Sequence, residues 1–529
     1  MIKIYRTHLE VDNYDWKSCP SLEYMFAVWN YATYQYDYVG ISWDPETRKL
    51  YLPRGMDVRK VESLLRRRAV VMNEYDKWEG TGPVLIKYTP KNETQKKAIK
   101  FILGMAEYNY TVPYSQLAIN LMTGKGKTYV TIASIMFDEA KFIVITSIKG
   151  WLNQWEEKVL EYTNFKKKNI MNLTSNLIDK IIKDECDLSK IKMFKCTHKT
   201  IKNYGDTNGW DKIEILFSKI KVKYKVFDEA HLYFDCMAMI DFHSNTYKTL
   251  YVTASPYRSD EKENQIYARY FEYVPSIELY NKDKDAMTDY LSVHYNSHPT
   301  PRQQALCRNK FGFIKSAYVE YAISNEWFWK IVYIIFCEAI LPNKGRTLLL
   351  TETNHPIPVL KEWIEENFPE FRGQIGTFNG DTSEQERQSA KNQRLVITNR
   401  QCGGTCLDIP DLGLCFPLLV PAKSKVTAQQ LFGRVGREGT VLPKFLFIEL
   451  VDEGFKKLKE YHANKMPVYM KYATSVKKVI YRDFDIDQGF NKWTSIRSKP
   501  KLIEPPWRIV IPKEEEPKKL IEPPWRIKL

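Results

Sequence analysis

The sequence predicts an α/β protein built from two tandem lobes, each a parallel sheet with flanking helices. A small α+β domain precedes them and an extended tail follows. Three observations carry that expectation. Short apolar runs alternate with amphipathic segments from about residue 91 to 300, the alternation begins again near 310, and a glycine-bordered loop sits between one such run and a helical stretch. Parallel strands joined by crossover helices produce this pattern. A chain of 529 residues has room for three or four units at roughly 100 to 200 residues each. The expected boundaries are an accessory domain over 1–90, a first lobe over 91–300, a second lobe over 301–480 and a tail over 481–529.

Residues 1–90 are rich in Tyr and Trp, hold no phosphate-binding signature and close with the turn-prone EGTGP at Glu79 to Pro83. Within them LYLPRGMD predicts a short strand, a turn at Pro53 and Gly55, and a helix capped by Asp57 that runs through VRKVESLLRRRAV. Val58, Val61, Leu65 and Ala69 then share one face, and Arg59, Lys60, Arg66, Arg67 and Arg68 spread over the rest. That basic surface is either a solvated helix face or a contact for a DNA backbone. The first lobe follows with LAINLM, TYVTIASIMFDEA, FIVITS, WLNQWEEKVLEY, KVKYKVFDEAH and TLYVTASP, and the second with RTLLLTET, IPVLKEWIEENF, RLVITN, LCFPLLVP and FLFIEL. The tail repeats KLIEPPWRI at Lys501 to Ile509 and Lys519 to Ile527; the paired prolines exclude helix and favour extended backbone. It is either a disordered tail with a duplication or a bivalent docking motif for a protein partner, anchored by Trp507 and Trp525.

Composition narrows the function classes. A net charge of +15 favours an acidic partner, because Lys and Arg that neutralise phosphates gain from releasing counterions, although a generally basic surface kept for solubility gives the same total. Nine cysteines are scattered without a CxxC pair, which argues against a zinc ribbon or thioredoxin-type site and for reduced thiols; Cys402, Cys406 and Cys415 have only loose metal-like spacing. The N-terminus carries charge too early for a signal peptide, and the apolar run from Ile331 to Leu341 is broken by Glu338 and falls short of the ~20 residues of a span. A soluble cytoplasmic protein is expected. No carboxylate cluster suited to a nuclease stands outside the motifs that follow.

The chemistry lies in three segments. In LMTGKGKT, Thr123, Gly124, Lys125 and Gly126 let backbone N–H groups wrap a phosphate, Lys127 supplies β/γ charge, and the Thr128 hydroxyl can ligate Mg2+; the usual first glycine of the loop is replaced by Leu121. VFDEAH ends an apolar run with adjacent carboxylates, Asp228 as the magnesium partner and Glu229 as general base for an attacking water. QLFGRVGR adds Gln430, Arg434 and Arg437, which share one side of a helix if it starts near Thr427; an arginine from another lobe would meet the charge gathering on a departing γ-phosphate. Together they imply ATP and Mg2+ as cofactors. A basic chain with two such lobes can then step along a phosphodiester backbone without reading bases.

These residues, in this order, resemble helicase superfamily 2 over about Gln95 to Arg437. The resemblance implies RecA-like lobes. It assigns adenine recognition to Gln95 in ETQKKAI, nucleic-acid contacts to Thr146 and Ser147 in FIVITSIKGWLNQW and to Thr197 in FKCTHKTI, and coupling to Thr253 and Ser255 in VTASPYR, which relay cleft closure to His231. Gln154-Trp155 is a frequent signature of the group. In the second lobe, RLVITNRQCGGTCLDIPDL corresponds to the motif joining ATP to the track, giving Thr405 and Asp408, with Cys406 where a glycine usually stands. The combination of DEAH, TASPxR and GGT with LDIP is similar to the XPB-like and phage recombination helicases of the UvsW type, and so is LYLPRGMD ahead of the first lobe. Such membership implies an ATP-dependent DNA helicase or translocase working 3′ to 5′ on forked or branched DNA in replication, recombination or repair, and leans toward a virus of bacteria acting in the host cytoplasm. An RNA helicase or transcript-releasing translocase is the second expectation. A nucleic-acid-binding scaffold with a vestigial motor is the third, disfavoured because Lys127, Asp228, Glu229, Arg434 and Arg437 are all present.

Overall fold

The computed structural model describes residues 1–30, 32–105, 115–121, 124–254, 261–280, 286–310, 312–403, 409–436, 442 and 444–497. They form two units, Met1–Tyr280 and Asn281–Leu529. Among the described residues no helix is long and apolar enough to cross a membrane.

The first unit opens with β1 (Ile2–Ile4), β2 (His8–Val11), a hairpin of β3 (Ala27–Asn30) and β4 (Gln35–Tyr38), then β5 (Ser42–Asp44), β6 (Lys49–Pro53) and β7 (Ala69–Val71). All but the hairpin join one sheet in the order β5-β6-β2-β1-β7. Asp57 caps the helix Val58–Leu65 by accepting from the Arg59 and Lys60 N–H groups at 3.0 and 3.3 Å. The helix stops at Leu65 rather than running to Ala69. Arg66 turns left-handed (φ +52°), Ala69 enters β7, and the Arg67 guanidinium donates to the backbone carbonyls of Asp12 and Asn13. Three basic residues assigned to a helix surface therefore belong to a turn, and one of them ties the sheet together.

The second sheet of this unit contains β8 (Gln116–Asn120), β9 (Phe142–Thr146), β10 (Ile170–Asn172), β11 (Met193–Thr197), β12 (Tyr224–Asp228), β13 (Lys248–Thr253) and β14 (Ser276–Glu278). All pairs are parallel, in the order β10-β11-β9-β12-β13-β8-β14. Helices cover both faces, so alternate strand residues enter two cores. Ile143, Ile145, Phe227 and Tyr251 join one; Phe142, Val144, Val226, Leu250 and Val252 join the other. The first of these cores also takes Ile2, Leu9, Val11, Leu50 and Leu52. The N-terminal sheet thus shares its core with the parallel sheet instead of burying one of its own.

The second unit repeats the plan with β15 (Thr288–Tyr295), a short hairpin of β16 (Arg308–Asn309) and β17 (Gly312–Phe313), β18 (Arg346–Thr351), β19 (Ile375–Phe378), β20 (Leu395–Asn399), β21 (Leu412–Leu419), β22 (Phe445–Asp452) and β23 (Val476–Ile480). The large sheet is parallel in the order β19-β20-β18-β21-β22-β15-β23. Two boundaries differ from those expected. β15 is hydrogen-bonded between β22 and β23, so this unit takes in residues before 301. Residues 483–496 are helical: Asp483–Ile496 docks on Glu326–Ile335 through the fully buried Ile486, a Lys330–Asp487 ion pair of 2.8 Å and a Tyr333–Phe490 edge contact. The first proline that would bar helix is Pro500.

Candidate active site

The glycine loop follows β8. Gly124 (φ +85°) and Gly126 (φ +82°) take left-handed backbone, where a side chain is strained, and the helix Lys127–Phe137 starts on the next residue. Its first N–H groups have no partner within the helix and carry the positive end of its dipole, which is the setting for a phosphate. Gly126 is needed for space as well: a Cβ there would lie 2.5 Å from the Gln95 Nε2. The Gln95 side chain is buried against the loop, and its Oε1 accepts from the Lys91 N–H at 2.9 Å. Lys125 is buried too, so this extra base does not face solvent. Thr128 is half-buried in the first helical turn, and Thr123 lies outside the described residues.

β12, paired with β9 on one side and β13 on the other, delivers the carboxylates. Asp228 ends that strand, and its Oδ2 accepts from the Trp155 indole N–H at 2.8 Å. Burial first, then the neighbouring Glu229 charge, push the Asp228 carboxyl up; Trp155 and Lys127 oppose the shift. Two hard oxygen donors, the Asp228 carboxylate and the Thr128 hydroxyl, together with an excess of buried negative charge, fit Mg2+. Glu229 occupies left-handed backbone (φ +52°), and its Oε1 stands 3.7 Å from Lys127 Nζ. Its Oε2 is 3.4 Å from His231 Nδ1, which in turn is 2.8 Å from the Thr253 hydroxyl at the end of β13. One continuous line of contacts therefore runs from the phosphate loop to the last residue of a neighbouring strand.

Thr146 and Thr197 face each other in register at the carboxyl ends of β9 and β11. Thr146 is fully buried and donates to the Ile148 carbonyl at 3.0 Å; the exposed part of this edge is Ile148 with Lys149 and Gly150, which open the helix Lys149–Tyr162. Ser147 buries its hydroxyl with no hydrogen-bond partner among the described residues. Half-buried Thr197 caps the helix His198–Asn208, accepting from the Thr200 N–H at 3.2 Å.

In the second unit Gln430 belongs to the helix Lys425–Phe432, which Ser424 caps and which starts two residues before the expected Thr427. Arg434 lies beyond that helix, not on its face. Gly433 closes the last turn, and the Arg434 and Val435 N–H groups donate to the Leu431 and Phe432 carbonyls in tighter turns. The Arg434 side chain is buried within electrostatic reach of Cys415 on β21. Ser255, Thr405, Cys406, Asp408 and Arg437 lie outside the described residues. Trp155 gained no role from the sequence because its partner is 73 residues away; its only signal was the Gln-Trp pair.

Residues 89–258 match the family described as Type III restriction enzyme, res subunit. Gln95, Lys127, Trp155, Asp228, Glu229, His231 and Thr253 all fall inside that matched segment. Among solved structures the chain is similar to S. cerevisiae Dbp5 bound to RNA and ADP BeF3 (15% identity over 76% of this chain and 93% of that one, TM-score 0.46). It is similar also to T4 UvsW (11%, 90% and 99%, 0.35) and to a fragment of a putative HsdR subunit of a type I restriction enzyme from Vibrio vulnificus YJ016 (11%, 87% and 78%, 0.48). No curated protein matches the chain in sequence.

Proposed function

We propose that this protein is an ATP-dependent DNA helicase or translocase that remodels forked or branched DNA in replication, recombination or repair. The observation that carries the reading is the contact line Lys127, Glu229, His231, Thr253 at the carboxyl edge of one sheet. A hydrolase alone needs no such relay. The line ends at Thr253 on β13, on the same carboxyl edge of the sheet that carries Thr146 on β9 and Thr197 on β11; the proposed coupling between the γ-phosphate and a nucleic-acid contact runs along that edge.

Gly124, Gly126 and the first N–H groups of the helix hold the phosphates, and Lys127 balances their charge. Gln95, packed on Gly126, borders the base side of the loop. Thr128 and Asp228 would hold Mg2+, which when bound would supply Lewis-acid charge to the phosphates. Glu229 accepts a proton from water as its oxygen bonds to the γ-phosphorus, while the bond to the bridging oxygen breaks and its electron pair leaves with ADP. Gln430, Arg434 and Arg437 are proposed to meet the leaving phosphoryl group, the two arginines supplying the charge, and Ser147, Ser255, Thr405 and Asp408 are proposed to join the coupling and strand contacts. The KLIEPPWRI repeats are proposed to dock a protein partner.

ATP turnover measured with single-stranded DNA, forked DNA and RNA over a salt series tests the reading. Stimulation that is greatest with forked DNA and falls steeply with salt is expected. Stimulation by RNA alone would replace DNA as the track, and turnover indifferent to every nucleic acid would remove the motor.

A further inference from the structure

The β3–β4 hairpin and its flank present a cluster of exposed aromatic side chains that the ATP site does not use. The hairpin pairs with no other strand. Trp29 is 39% exposed, Tyr36 41%, Tyr24 54% and Tyr34 76%. An isolated two-stranded hairpin is marginal in water, yet this one is held at its foot. Val28 and Tyr38 pack on the core, Trp16 meets Tyr38 edge-on at 4.8 Å, and Gly40 takes φ +75° where a Cβ would touch the Phe234 ring at 3.0 Å.

The rings are ordered against one another. Trp29 lies opposite Tyr36 in register, their centroids 4.9 Å apart and the planes at 71°. Tyr24 meets Tyr36 at 5.2 Å, and the two hydroxyls are hydrogen-bonded at 2.6 Å. The tip is fixed as well. The Asn30 side chain accepts from the Ala32 and Thr33 N–H groups and donates to Asp37 at 2.8 Å, and the Tyr34 N–H donates to the Asn30 carbonyl at 2.9 Å. Tyr34 itself sits at φ +54°, a backbone conformation where glycine or asparagine would cost less.

We propose that this hairpin binds unpaired nucleic-acid bases, stacked on Trp29 and Tyr36. The proposal rests on the reading of the protein as a nucleic-acid motor and adds a site that the motor set does not include. Two features favour bases over a protein partner. The exposed large apolar side chains of the hairpin and its flank are aromatic, with no exposed aliphatic anchor among them, and a π face accepts any base where a protein hot spot would call for a shaped pocket. The foot also lies against the start of the helix Phe234–Phe242, next to Tyr233, which is 42% exposed with the Lys199 ammonium 5.3 Å from its ring. Lys199 belongs to the helix that Thr197 caps. Aromatic faces and cations thus continue from the proposed strand contact to the hairpin, where the Lys262 ammonium stands 5.7 Å from Tyr24.

The test uses the full chain and two fluorescent strands, oligothymidylate and an abasic strand of equal length. The wild type should bind the base-bearing strand about 10-fold more tightly than the abasic one. Trp29→Ala with Tyr36→Ala should lose that preference while keeping its abasic affinity, its salt slope and its ATP turnover at saturating strand; Trp29→Phe should retain most of it. A double variant that still prefers bases as the wild type does, or one that loses affinity for both strands alike, overturns the hairpin assignment. A wild type that binds neither strand and shows no stimulated turnover overturns the motor reading itself.

Discussion

The hydrogen bond from Trp155 to Asp228 is one atom pair with a measurable consequence. A hydrogen bond to a charged group contributes about 1.5 to 3 kcal/mol, so Trp155→Phe, which leaves the buried Asp228 carboxylate without this donor, should lower the stability of the first unit by about that amount and slow ATP turnover. Full turnover would make the indole a packing group only. Gly126→Ala places a methyl on Gln95 at a left-handed residue; it should cost about 1 to 2 kcal/mol in backbone strain and abolish ATP binding, as titration with a fluorescent nucleotide would show. Histidines give the pH dependence. Burial, then the charges of His243 and Lys225, hold His8 down to about 3, and burial holds His198 at about 4 between the Phe227 and Tyr233 rings. Both stay neutral in the fold while the unfolded chain takes protons below about pH 6.5. Stability present above that pH is therefore lost as the pH falls toward 4, by up to about 1.4 kcal/mol per unit for each ring. His198→Phe should flatten the slope of melting temperature against pH. The phosphate loop and the acid pair were legible because their roles depend on neighbours in the chain. Trp155 was not, because what it touches is set by the crossing of distant elements.

Among elements, the strands of both parallel sheets could be read from apolar runs, since burial on two faces leaves an uninterrupted hydrophobic signature. Ends and membership were harder to read. The run VRKVESLLRRRAV keeps helical periodicity to Ala69, yet the helix stops at Leu65, because Ala69 instead pairs with Ile2 across β1 and β7 and its N–H donates to the Glu62 carboxylate. No periodicity records a partner 67 residues away. β15 was placed in the wrong lobe for a related reason: strand order in a parallel sheet departs from chain order, so the first strand of the second sheet ends up between β22 and β23. The pairing that joins β12 to β13 carries its own prediction. Thr253→Val removes the hydroxyl beside His231 while keeping the strand side chain's shape. Basal ATP turnover should persist, and stimulation by nucleic acid should fall about 10-fold. Equal losses in both rates would reduce the contact to part of the hydrolytic centre.

At the scale of the whole molecule, the N-terminal sheet and the parallel sheet of the first unit share one core, and a buried polar network joins them. Lys225 and Asp241 are both fully buried, 2.7 Å apart; Tyr251 and Tyr270 donate to the same carboxylate, and Gln116 links Tyr251 to the Thr7 carbonyl. Leaving Asp241 without its cation, as in Lys225→Met, should cost about 3 to 5 kcal/mol, read as a shift of the urea midpoint of the first unit. A shift under 1 kcal/mol would show that the network is not what fastens the two sheets. Composition could not reveal this union; it marked the Tyr- and Trp-rich segment as different but said nothing of which core it would enter. The central claim remains that the loop at Lys127 and the acid pair at Asp228 and Glu229 power a motor answerable to nucleic acid. The most direct test is ATP turnover of the wild type and of Lys127→Ala, each with and without saturating forked DNA. The account predicts turnover that rises with DNA in the wild type and is absent in the variant under both conditions; undiminished DNA-stimulated turnover in Lys127→Ala would contradict it.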